Sequence, residues 1–81
     1  MKRLYRIYYN TFDDELHEKV KNTLKEKYGA EIVDHKSRLH PDFRYLELLL
    51  ESPGLEDEIR DLIRSLIGSM YVKVDWIDTT K

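Results

Sequence analysis

The spacing of apolar residues alternates between two periods along this chain. Leu4 to Tyr9 is rich in aromatic and β-branched residues, which predicts a first strand. Two interleaved sets share it, Leu4-Arg6-Tyr8 and Tyr5-Ile7-Tyr9, and both are amphipathic. The period then lengthens: Leu16, Val20, Leu24 and Tyr28 recur every four residues and predict a helix with a narrow apolar stripe. Asn10-Thr11 supplies turn and cap chemistry ahead of it, and Asp13-Asp14-Glu15 places carboxylates where the helix dipole favours them. Gly29 follows the last periodic residue as the expected left-handed cap.

Ile32 and Val33 open a short second strand, and Lys36 to Asp42, with its His40-Pro41-Asp42 kink, reads as a mobile connection. Phe43 to Leu50 alternates, with Leu46, Leu48 and Leu50 on one face and Phe43, Tyr45, Glu47 and Leu49 on the other. Ser52-Pro53 predicts a helix cap followed by proline at the first helical position. Leu55, Ile59, Leu62, Ile63, Leu66 and Ile67 then form a broad helical stripe that Gly68 closes. Met70 to Ile77 alternates again, Val72, Val74 and Trp76 inward against Tyr71, Lys73 and Asp75 outward.

The order strand, helix, strand, strand, helix, strand predicts an α+β fold, a two-layer ferredoxin-like sandwich. Right-handed crossovers place strands one and three at the centre of a four-stranded antiparallel sheet with both helices on one face. At 81 residues, positions 1–81 make one domain with one core. The apolar fraction of 41% and charged fraction of 37% describe a folded chain with a wet surface. There is no cysteine, hence no disulfide framework, thiolate metal site or cysteine nucleophile. The longest apolar run, Leu48-Leu49-Leu50, is far short of the roughly 20 residues that span a bilayer. Arg6 interrupts any signal-like N-terminal core, so a cytoplasmic home without membrane contact is expected.

Because the helices cover one face of the sheet, the other stays open. It is expected to carry Phe43, Tyr45, Glu47 and Leu49, with Leu4, Arg6 and Tyr8 from the first strand and Tyr71, Lys73 and Asp75 at an edge. Net charge is −2, which gives no global pull toward nucleic acid, but Arg6 and the segment holding Lys36, Arg38 and Arg44 lean basic while the second helix leans acidic.

Two segments bear a family likeness. Ile7-Tyr8-Tyr9-Asn10 resembles the shorter signature of the RNA-recognition motif, and Asp42-Phe43-Arg44-Tyr45-Leu46 resembles part of the longer one. The resemblance implies a stacking platform of Tyr8, Phe43 and Tyr45. Pro41-Asp42 stands where that family has a basic residue and glycine, and Leu48 replaces a further aromatic.

Other chemistry is sparse. Asp34, His35, His40 and Asp42 match no recognised zinc spacing and read as loop polarity, and His17 beside Glu18 is expected to be exposed. Ser37, Ser52, Ser65 and Ser69 sit in no nucleophile motif, and Glu47 next to Arg6 or Lys73 reads as a cross-strand ion pair. Acylphosphatase-like enzymes share the fold, but their glycine-rich loop is absent after the first strand. No catalytic residue, metal or cofactor is expected.

The preferred reading is therefore a non-enzymatic interaction module. It would self-associate or dock a protein partner through the open face, with Tyr8, Phe43, Tyr45 and Tyr71 as anchors. The alternative is a single-stranded RNA or DNA binder that stacks bases on the same aromatics and holds phosphates with Arg6, Lys36, Arg38 and Arg44. A small-molecule regulatory domain with its site at a dimer interface ranks third.

Overall fold

The computed structural model describes residues 2–69 and 71–79. Its elements follow in the predicted order: β1 (Lys2–Asn10), α1 (Asp14–Tyr28), β2 (Ile32–Lys36), β3 (Phe43–Leu50), α2 (Glu56–Ile67) and β4 (Val72–Thr79). The strands form one antiparallel sheet in the order β2-β3-β1-β4, so β1 and β3 are central. This is the α+β ferredoxin-like layout expected from the pattern. No described helix is long and apolar enough to cross a membrane.

The strand alternation decides which side chains are sealed. Tyr5, Ile7 and Tyr9 of β1 and Leu46, Leu48 and Leu50 of β3 point to the helix side, where they meet Val20 and Leu24 of α1 and Ile59 and Ile63 of α2. Burying each aliphatic side chain fully contributes roughly 1.5–3 kcal/mol before entropy is counted. The ambiguity in β1 is thereby resolved in favour of Leu4, Arg6 and Tyr8 on the open face. Burial fades along β4: Val72 is sealed and Val74 half-buried, but Trp76 is 40% exposed. Trp76, expected inward, does share the side of Tyr5, its partner in register, but it stands near the sheet margin with the Arg3 guanidinium 3.6 Å from its ring centroid. Met70 lies outside the described residues.

The helix ends show how local chemistry is used. Asp13 caps α1 by accepting the Leu16 N–H at 3.1 Å, while the Thr11 hydroxyl accepts the Asp13 N–H and turns the chain into that cap. Gly29 and Gly68 close both helices with positive φ, each donating its N–H to the carbonyl four residues back.

The Ser52-Pro53 cap is not formed. α2 starts at Glu56, with Leu55 at the cap position and no side-chain cap bond. Gly54, at φ 76, turns the chain between Pro53 and the helix, so proline never reaches the first helical position. The capping role passes to a distant residue: the Tyr5 hydroxyl donates to the Ser52 carbonyl at 2.6 Å and accepts the Leu55 N–H at 3.2 Å. A buried tyrosine of the central strand thus holds the entrance to α2.

Candidate functional site

The pairing registers lay out the open face as rows running across the sheet. One row is apolar: Leu49, Leu4 and Ile77. The next is ionic: Val33, Glu47, Arg6 and Asp75. The third holds His35, Tyr45, Tyr8 and Lys73, and Phe43 opposite Asn10 begins the fourth. Tyr71, one residue ahead of β4 and 85% exposed, lines a depression with Tyr8, Asn10 and Lys73. The four aromatics expected to act together are therefore neighbours.

Their rings make a ladder. Tyr8 and Tyr45 stack with centroids 4.8 Å apart and planes 3° from parallel, and His35 stacks on Tyr45 at 4.8 Å and 22°. Phe43 tilts against Tyr8 at 6.2 Å. Parallel rings this close must overlap face to face, because rings lying flat side by side on the sheet would be held farther apart by their own width. The ladder therefore stands upright, with ring edges rather than ring faces outward and the Tyr45 hydroxyl turned to Glu47. Both faces of Tyr45 are covered.

Glu47, in the neighbouring row of the same face, fixes this arrangement. Its Oε1 accepts from His35 Nε2 at 2.5 Å and its Oε2 accepts from the Tyr45 hydroxyl at 3.0 Å. The hydrogen bond from His35 holds the Glu47 carboxyl below its usual range, against partial burial. Burial, then the bond to Glu47, pushes the Tyr45 hydroxyl up to about 12. Glu47 thus serves the ladder rather than the ion pair with Arg6 or Lys73 expected from sequence. Arg6 instead contacts Asp75 at 3.4 Å on its other side.

The expected phosphate contacts are scattered. Arg44 belongs to the helix side by strand alternation and is 8% exposed. Its guanidinium donates to the Thr11 carbonyl at 3.0 Å and to Asp14 at 2.7 Å, tying β3 to the loop before α1. Arg44 is thereby corrected from a mobile phosphate contact to a structural tie, because alternation turns it inward. Arg38 is exposed in the β2–β3 loop, and the Lys36 side chain lies outside what the structure describes.

The histidine expected to be exposed is buried. His17 is 3% exposed. Its Nε2 lies 2.8 Å from Asp34, and its Nδ1 lies 2.5 Å from the Tyr9 hydroxyl. A carboxylate only accepts, so Nε2 carries a proton, and in the neutral imidazole Nδ1 then accepts from the Tyr9 hydroxyl. Lys21 joins Asp34 at 3.2 Å. Burial pushes the Asp34 carboxyl up, but hydrogen bonds from His17 and Lys21 outweigh it and hold the group below its usual range. His17, Val20 and Leu24 are spaced i, i+3, i+7, so the same helical arithmetic that finds the core stripe also reaches His17.

That cluster is a lock between α1, β1 and β2, with Tyr9 sealed at 1% exposure. His17, Glu18 and Asp34 bring donor atoms within 4.8 Å of one another, but the Lys21 ammonium already lies 2.7 Å from Glu18 and 3.2 Å from Asp34. An internal cation thus fills the place between the carboxylates. The metal cluster weighed from sequence is dispersed: Asp34 faces the helices, His35 the open side, Asp42 accepts from Asn10, and His40 is exposed. Ser37 and Ser69 accept backbone N–H groups from His40 and Tyr71.

Exposed apolar residues also occur outside the strands. Phe12 and Leu39, 78% and 85% exposed, sit in the β1–α1 and β2–β3 loops, which are joined by the Thr11 N–H donating to the Asp42 carbonyl at 2.8 Å. They lie at the same end of the sheet as Tyr71. No family model matches the chain, and no curated protein is significantly similar to it.

Proposed function

We propose that this domain is a non-enzymatic interaction module whose open sheet face docks a protein surface. The observation that carries this reading is the upright ladder of His35, Tyr45 and Tyr8, braced by Glu47 and flanked by Phe43 and Tyr71. Aromatic side chains already held by their neighbours lose little rotamer freedom on binding and present both apolar edges and hydroxyl groups, which suits a protein contact. The apolar row of Leu49, Leu4 and Ile77 extends the surface at one end, and Phe12, Leu39 and Tyr71 extend it at the other.

The nucleic-acid reading draws support from the gathering of Tyr8, Phe43 and Tyr45 on one face. Base stacking needs free ring faces, and the ladder covers both faces of Tyr45; phosphate binding needs free cations, and Arg44 is buried while Arg6 is paired. The protein reading is therefore preferred.

The test compares the wild-type chain with Tyr8→Ala/Tyr45→Ala, both checked for folding by circular dichroism. Affinity capture from source-cell extract is expected to show protein contacts that the double variant loses. Identical behaviour of the two proteins overturns the reading. Salt-sensitive fluorescence anisotropy with mixed single-stranded oligonucleotides, abolished by the same variant, would transfer the face to nucleic acid.

A further inference from the structure

The sheet leaves one long margin unpaired. β4 runs eight residues without proline, and its pairing with β1 continues unbroken from Lys2 opposite Thr79 to Tyr9 opposite Val72, so no bulge turns it away. The other margin, β2, has five residues. An uninterrupted edge of this kind is open to strand addition unless its side chains oppose it. On β4 they oppose it in some registers and favour it in one.

We propose that β4 is a self-association edge, pairing antiparallel with β4 of a second copy about a twofold axis through Val74. A twofold perpendicular to the sheet keeps the open faces on the same side and sets residues equidistant from the axis opposite each other. Centred on Val74, Lys73 faces Asp75 of the second copy and Asp75 faces its Lys73, giving two opposite-charge pairs on the open side. On the helix side, Val72 faces Trp76 of the second copy, and Trp76 is 40% exposed in the single chain. Just ahead of the strand, Tyr71 comes opposite Ile77 of the second copy, joining side chains that are 85% and 43% exposed. Directly opposed charges and aromatic or branched pairs are the contacts that stabilise antiparallel strands.

The neighbouring registers lack this match. Centring on Lys73 or on Asp75 sets that residue against its own copy, a like-charge pair. Centring on Trp76 sets Asp75 against Ile77 and Val74 against Asp78. Among the registers centred on Lys73 to Trp76, the Val74 alignment alone sets unlike charges opposite each other, and in it two four-stranded sheets become one continuous sheet with a joined open face. Tyr71 and Ile77 serve both surfaces, but the Tyr45 ladder takes no part in the pairing, so Tyr45→Ala separates this inference from the docking reading.

The test is sedimentation equilibrium of the full chain, with folding checked by circular dichroism. The wild type is expected to dimerise, and Lys73→Asp or Asp75→Lys alone is expected to raise the dissociation constant at least about tenfold, or about 1.4 kcal/mol. An equimolar mixture of the two variants restores opposite charges at both pairs and is expected to recover a dimer, while Tyr45→Ala leaves dimerisation intact. Amide exchange of the wild type supplies a second measurement, with β4 protection falling on dilution. A wild type monomeric at every concentration, single swaps that dimerise as the wild type does, a mixture that fails to associate, or β4 protection independent of dilution would each overturn the proposal.

Discussion

The Tyr9 hydroxyl and the His17 imidazole meet inside the core, with Nδ1 2.5 Å from the hydroxyl oxygen and both side chains at most 3% exposed. β1 is thereby joined to α1 by a polar contact within an apolar layer, and Asp34 extends it to β2 through Nε2. Tyr9 and His17 are sealed from solvent, so neither can exchange a lost partner for water, while Asp34, 15% exposed, closes the chain on the solvent side.

Removing the central member should therefore cost more than removing an end. His17→Ala is expected to destabilise the domain by about 2–4 kcal/mol, through the cavity and the stranded Tyr9 hydroxyl. Tyr9→Phe should cost about 1 kcal/mol. Urea denaturation of the two variants and of the double variant checks both values. The double variant should be less destabilised than the sum, and strict additivity would show that the contact is not energetically coupled.

Tyr5 and Ser52 give a second contrast. If Ser52 capped α2, Ser52→Ala would cost about 1 kcal/mol. The structure gives the role to the Tyr5 hydroxyl, which bonds both the Ser52 carbonyl and the Leu55 N–H. Tyr5→Phe is thus expected to cost about 1–2 kcal/mol, because it removes two partly buried hydrogen bonds at once. Ser52→Ala should change stability by less than about 0.5 kcal/mol. Thermal and chemical denaturation distinguish the two, and the reverse ranking would restore the serine cap.

Stability should have both an acid and an alkaline limb. The Asp34 and Glu47 carboxyls titrate lower in the folded state than in the unfolded one. Their stabilisation is fully present above the ordinary carboxylate value of about 4 and is lost as pH falls through the lower folded values. Asp34→Asn and Glu47→Gln should each flatten the acid limb of a plot of urea midpoint against pH. The Tyr45 hydroxyl is shifted the other way, from 10.0 to about 12. Its stabilisation is present below the unfolded value and is lost as pH rises toward about 12, so Tyr45→Phe should weaken the alkaline limb. A limb unchanged by its substitution would remove that group from the account.

Much of the fold was legible because periodicity is a direct record of which side chains face inward. The strand Phe43–Leu50 and the closure of both helices by Gly29 and Gly68 follow from alternation and backbone chirality, which act over a few residues. The gathering of Tyr8, Phe43 and Tyr45 was legible for the same reason once the strand order was inferred. The ladder was not. Whether rings lie flat or stand upright depends on what pairs with each across the strands, and His35 and Glu47 come from positions that carry no aromatic or motif signal.

The elements, their order, the two-layer architecture and the sidedness of β3 are written in local period and turn chemistry. The burial of His17, the tie from Arg44 to a loop, the replacement of Ser52 by Tyr5 at the entrance to α2 and the bracing of an aromatic ladder by Glu47 emerge from packing alone. Each is a contact between residues distant in the chain. A hydrogen-bonding group can be read as exposed or buried only when its partner is known, and the partner is supplied by the packing of the strands and helices.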